Sequence, residues 1–186
     1  MGLELARLLA LVAFVALLLA VLVFLRRAGQ LLADSREREA FRRSVADLVT
    51  RACQSLDGVG ARIDGVRRRT IEADEIGDNL AAASDAVQRY ADEARALRVS
   101  GPRAEVRAAM VADLERAERA LQMVEHGCAI LAAANRRGSR ELEAQTSIKR
   151  GYLNILHARE AMIRHGARAT ELADADQPRL FQRRNA

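Results

Sequence analysis

From Leu8 to Leu25 the chain reads LLALVAFVALLLAVLVFL, eighteen residues without a charge, glycine or proline, closed by Arg26 and Arg27. As a helix rising ~1.5 Å per residue it would span roughly 27 Å, close to the ~30 Å hydrocarbon core of a bilayer. With no proline in the run, every backbone hydrogen bond can close inside the helix, as lipid requires. A cleaved signal peptide would have a basic start, a shorter apolar core and small residues at a cleavage site. Here Glu4 accompanies Arg7, and the run ends in Phe24-Leu25-Arg26-Arg27. A helix buried in a globular domain is seldom apolar on every side for this length. The expectation is a single N-terminal transmembrane helix within an anchor of residues 1–27, flanked by Arg7, Arg26 and Arg27, with the lipid bilayer as partner.

Basic residues near a span stay on the cytoplasmic side. Arg7 stands alone before the run; Arg26, Arg27, Arg36, Arg38, Arg42 and Arg43 follow it. This predicts a single-pass protein of the cell membrane, with its N-terminus outside and its C-terminal domain in the cytoplasm.

Beyond the anchor the chain is rich in alanine, leucine, arginine and glutamate, the composition of helical bundles. It has no tryptophan and only two prolines, Pro102 and Pro178. From Val45 a seam repeats in steps of four and three: Val45, Val49, Ala52, Leu56, Val59, Ile63, Val66. That is heptad spacing, the mark of a helix packed on others at a shallow angle. The register softens over Thr70 to Gly77. A second seam follows (Leu80, Ala83, Val87, Ala91, Ala94, Leu97) and stops at Val99-Ser100-Gly101-Pro102, where Gly and Pro punctuate helix ends. A third seam runs through Val106, Met110, Leu114, Ala117, Leu121, Val124, Cys128 and Leu131 and ends at Asn135-Arg136-Arg137-Gly138. The last helix carries Leu142, Ile148, Tyr152, Leu153, Ile155, Leu156, Met162 and Ile163, and Pro178 blocks its continuation.

The fold class is therefore all-α: an antiparallel helical bundle over residues 28–175 and a basic tail over residues 176–186. Four helices are preferred, with a fold-back near residues 68–77 or 57–60. The alternative is one long helix plus a helical hairpin. In the four-helix arrangement Arg179, Leu180, Phe181, Arg183 and Arg184 of the tail would return to the membrane surface.

The residues argue against chemistry. Net charge is +5, but the arginines alternate with acids as on any solvated helical face. No basic stripe or aromatic platform for nucleic acid stands out. Di-iron bundles need carboxylates from every helix and paired E-x-x-H motifs; Met123, Asn154 and Met162 stand three residues before the three histidines. Only His157 and Glu160 place a histidine and an acid one turn apart. Cys53 and Cys128 lack C-x-x-C spacing and read as reduced thiols, Cys128 as a core residue. No Gly-rich phosphate loop is present: Asp57-Gly58-Val59-Gly60 has neither the following lysine nor a preceding strand. Thr70, Ser84 and Gln145 on the seams read as register-fixing polar residues.

No catalytic, cofactor-binding or metal-binding residue is expected, and no small-molecule substrate is evident. The first functional expectation is a membrane-anchored interaction or scaffold bundle, not an enzyme, that self-associates or binds a protein partner. The second is a signal-transmitting bundle working through helix register, motivated by the soft stretch Thr70–Gly77. The third is a core metal or ligand binder.

Overall fold

The computed structural model of the chain describes residues 2–133 and 138–175. All regular structure among them is helical: α1 (Gly2–Arg67), α2 (Gly77–Ala96), α3 (Pro102–Ala132) and α4 (Gly138–Ala175). The chain divides into two compact units, Met1–Ala40 and Phe41–Ala186.

In the second unit the contacts between helices define a bundle. Arg51 of α1 meets Glu93 of α2 at 2.6 Å, and the hydroxyls of Ser55 and Tyr90 lie 3.1 Å apart, so later α1 residues face earlier α2 residues. Arg95 of α2 binds Glu115 of α3 at 2.6 Å. The Ser147 hydroxyl of α4 donates to the Met123 carbonyl of α3 at 2.8 Å. Arg159 of α4 closes the circle on Asp57 of α1 at 2.5 Å. Each helix thus has its chain neighbours beside it, with α4 back against α1, as in bundles with short turns. The fold-back falls at residues 68–76, where α1 has ended and α2 has not begun.

The core follows the heptad seams. Val45, Ala52, Leu56, Val59, Ile63 and Val66 of α1 are buried, with Val49 packed beside them. Leu80, Val87, Ala91 and Ala94 of α2 join Val106, Met110, Leu114, Leu121 and Val124 of α3. Apart from Phe41 the buried core is built from aliphatic, Met, Cys and Ala side chains, so the helices must approach closely to exclude water. The α3–α4 pair does this through Gly127 and Gly151. A β-carbon on Gly127 would lie 2.9 Å from the Ala144 carbonyl oxygen, and one on Gly151 would lie 2.7 Å from that of Ala120.

The α4 face differs from its apolar pattern. Leu142, Leu153 and Ile163 are 67%, 44% and 48% exposed. Ile148, Ile155 and Met162 of the expected face are buried, and they are joined by Ala144, Ala158 and Ala169, on heptad spacing, with Gly151 among them. Leucines off this narrow stripe face water because α1 and α3 touch α4 only along it.

The membrane localisation expected from Leu8–Leu25 is corrected. Among the described residues no helix is long and apolar enough to cross a membrane. The inside–outside orientation falls with that localisation. Arg26 and Arg27 are exposed residues of α1. The side chain of Arg7, and the tail residues Arg179, Leu180, Phe181, Arg183 and Arg184, lie outside the described part.

Candidate functional site

Helix α1 stops without a glycine. Its last residue is Arg67; Arg68, Arg69 and Thr70 follow in the turn, and Arg69 takes a positive φ of 61°. The amide of Thr70 donates to the Gly65 carbonyl at 2.9 Å, and that of Arg69 to the Val66 carbonyl at 3.0 Å. These are the two bonds of a Schellman cap, with arginine in the left-handed position that glycine usually occupies. The Thr70 hydroxyl adds a bond to the same Gly65 carbonyl at 3.1 Å. Ile71 folds back over Gly65 so tightly that a β-carbon there would lie 2.6 Å from its Cδ1. Ile76, fully buried, fixes the far end of the turn, and the Leu80 amide bonds its carbonyl at 2.9 Å.

A cavity of about 450 Å³ lies against this turn. Val66, Ile71, Ala73, Leu131 and Ile148 form its apolar wall. Arg67, Arg69 and Lys149 bring cations to it, and Glu72, Glu141 and Gln145 bring acceptors. Glu141 organises one side: its Oε1 accepts from Arg69 at 3.2 Å and from Gln145 at 3.1 Å. Arg67 is held by Asp64 at 3.0 Å, and its guanidinium carbon sits 4.6 Å from the centroid of the Tyr152 ring. Lys149, the single lysine of the chain, contributes the remaining cation.

The other polar cluster joins α3 to α4. Asp113 is buried, His165 meets its carboxylate at 2.8 Å, and Arg116 meets its other oxygen. Cys128 lies in the core toward the other end of α3. Burial pushes the Cys128 thiol up to about 11. Burial also raises the Cys53 thiol, whose sulfur lies 3.9 Å from the Arg159 carbonyl. Thiols held protonated in this way are poor nucleophiles at neutral pH.

Among the described residues no group of histidine, cysteine and acidic side chains is arranged to hold a metal ion. Two of the polar residues expected on the seams bond locally. Thr70 bonds its own turn, and Gln145 bonds Glu141 on its own helix. Polar residues that do cross include Asp113, one position before the seam residue Leu114, which meets His165, and Ser147, which donates to Met123 of α3. Arg69, Glu72, Glu141 and Lys149 carry no signal in the sequence because they belong to two distant segments and to no spacing pattern. Gln145 alone had been placed near a seam.

No family model matches the chain, and no curated protein or solved structure matches it either.

Proposed function

We propose that this protein is a helical-bundle interaction module that associates with further copies of itself through the early part of α1. The observation carrying the reading is the exposure of Leu17, Leu18, Leu19, Val21, Leu22, Val23, Phe24 and Leu25, each between 48% and 72% accessible. Consecutive residues cover every side of a helix, so a single flat partner would leave half of them wet. Identical helices offer matching leucine and valine surfaces from several sides at once, which favours closed symmetric assembly. A cylinder about 10 Å wide and 14 Å long presents roughly 440 Å² of side surface. Burying it would contribute up to about 11 kcal/mol per copy. That is comparable to the ~4–15 kcal/mol that association costs in lost freedom, so the assembly is expected to depend on concentration.

Sedimentation velocity of the full chain over a range of concentrations tests this. A defined oligomer should form, and it should dissociate to monomer when Leu18 and Leu22 are both replaced by glutamate. A wild-type chain that stays monomeric, or a double variant that associates as well as wild type, would remove the reading.

A further inference from the structure

We propose that the cavity at the α1–α2 turn binds a small zwitterion with an aliphatic body, of the chemical class of a branched-chain α-amino acid. This goes beyond the self-association reading and does not rest on it.

The charges on the cavity wall lead to this class. Arg67 is matched by Asp64, and Arg69 by Glu141. Lys149 and Glu72 remain, and neither forms an ion pair among the described residues. The cavity therefore offers one unmatched ammonium and one unmatched carboxylate beside an apolar wall. A dicarboxylate or a phosphate would satisfy Lys149 but bring further negative charge beside Glu72. A polyamine would meet the three cations. A ligand carrying one charge of each sign satisfies both unmatched groups.

The positioning follows from the turn. Glu141 holds one nitrogen of Arg69 at 3.2 Å and leaves its other N–H donors available. Lys149 and Arg69 would take the ligand carboxylate, Glu72 its ammonium, and Ile71, Leu131 and Ile148 its branched side chain. A volume of about 450 Å³ falls within the ~300–1,000 Å³ usual for small-molecule sites. The left-handed backbone at Arg69 is the second sign of a site. Strain of this kind is retained where a side chain must be held in one place, and glycine would form the same turn without it.

Isothermal titration calorimetry of the full chain with three probes of one carbon skeleton tests the inference. Leucine should give saturable heat. Its deaminated and decarboxylated counterparts, 4-methylpentanoate and 3-methylbutylamine, should each bind about tenfold weaker or less, the worth of one charge-assisted hydrogen bond. Lys149→Met and Glu72→Gln alter exposed residues, and circular dichroism will confirm that both fold. Each should weaken leucine about tenfold. Absence of saturable leucine binding, a single-charge probe binding as well as leucine, or variants binding like wild type would each overturn the inference.

Discussion

Nε2 of His165 lies 2.8 Å from Oδ2 of Asp113, tying the middle of α3 to α4. Asp113 is 9% exposed and is the one charged residue in the buried core of the described residues. Arg116, one turn along α3, reaches its other oxygen, so both carboxylate oxygens have a donor. Removing the carboxylate leaves His165 partnerless in a poorly hydrated place, which costs about 1–3 kcal/mol. Asp113→Ala should therefore lower unfolding free energy by about that amount. His165→Ala should lower it similarly, and the double variant should lose less than the sum, because the two changes share one interaction. Chemical denaturation of the four proteins measures the coupling; strict additivity would show that the contact contributes nothing.

Gly127 and Gly151 test how closely α3 and α4 must lie. Gly→Ala inside a helix ordinarily stabilises by about 0.5–1 kcal/mol through propensity alone. At these positions the new β-carbon would stand 2.7 Å from Ile148 Cγ1 and 2.6 Å from Val124 Cγ2, with backbone carbonyls 2.9 and 2.7 Å away. Backbone of the facing helix cannot step aside without moving the whole interface, and overpacking of this kind costs about 1–3 kcal/mol. Gly127→Ala and Gly151→Ala should therefore lower the melting temperature. Gly58→Ala, with nothing within 4 Å of the new carbon, should raise it. All three shifts in one direction would contradict this account of the interface.

These glycines also show where sequence reading reached its limit. The seams of α1, α2 and α3 were legible because Val, Leu and Ile repeat on them at heptad spacing, and those residues are the buried ones. On α4 only part of the pattern was legible: Ile148, Ile155 and Met162 are buried as their hydropathy suggests. Leu142, Leu153 and Ile163 drew attention, yet the packed stripe is built around Ala144, Gly151, Ala158 and Ala169. Alanine and glycine carry almost no hydropathy signal, and their role appears only when the opposing backbone is in place. The cavity was illegible for a related reason. Its charges come from the α1–α2 turn and from α4, more than 60 residues apart. Arg69 also gave no hint of its left-handed backbone, since Gly or Asn is the usual sign of such a cap. The run Leu8–Leu25 misled in the opposite sense: it fitted the dimensions of a bilayer, while no described helix is long and apolar enough to cross one.

Arg69→Gly separates backbone from side chain at the turn. A left-handed conformation costs a non-glycine residue roughly 1–2 kcal/mol. The ion pair of Arg69 with Glu141 is solvent-exposed, and such pairs contribute only about 0–1 kcal/mol. The variant should therefore be more stable than wild type by about 1 kcal/mol, while Glu141→Gln, which leaves the backbone unchanged, should alter stability by less than about 0.5 kcal/mol. Urea denaturation measures both. A destabilised Arg69→Gly would show that its guanidinium does more for the fold than one exposed pair.

The alkaline limit of stability should report on Cys128. Burial raises its thiol from the ordinary value of 9.0 to about 11 in the folded protein. The folded chain thus holds this proton more tightly than the unfolded chain does. The resulting stability is complete below pH ~9 and is lost as pH rises through about 11, where both states are ionised. At ~1.4 kcal/mol per pH unit the loss amounts to about 2–3 kcal/mol. Cys53 is shifted in the same direction by its own burial, so the comparison belongs in a Cys53→Ala background. There, Cys128→Val removes the titrating group while keeping an apolar side chain of similar size. The parent should lose stability more steeply than the valine variant between pH 9 and 11, read as the change of denaturation midpoint with pH. Equal slopes would mean that Cys128 is no more protected from hydroxide in the folded bundle than in the unfolded chain, and that α3 and α4 admit water at that level.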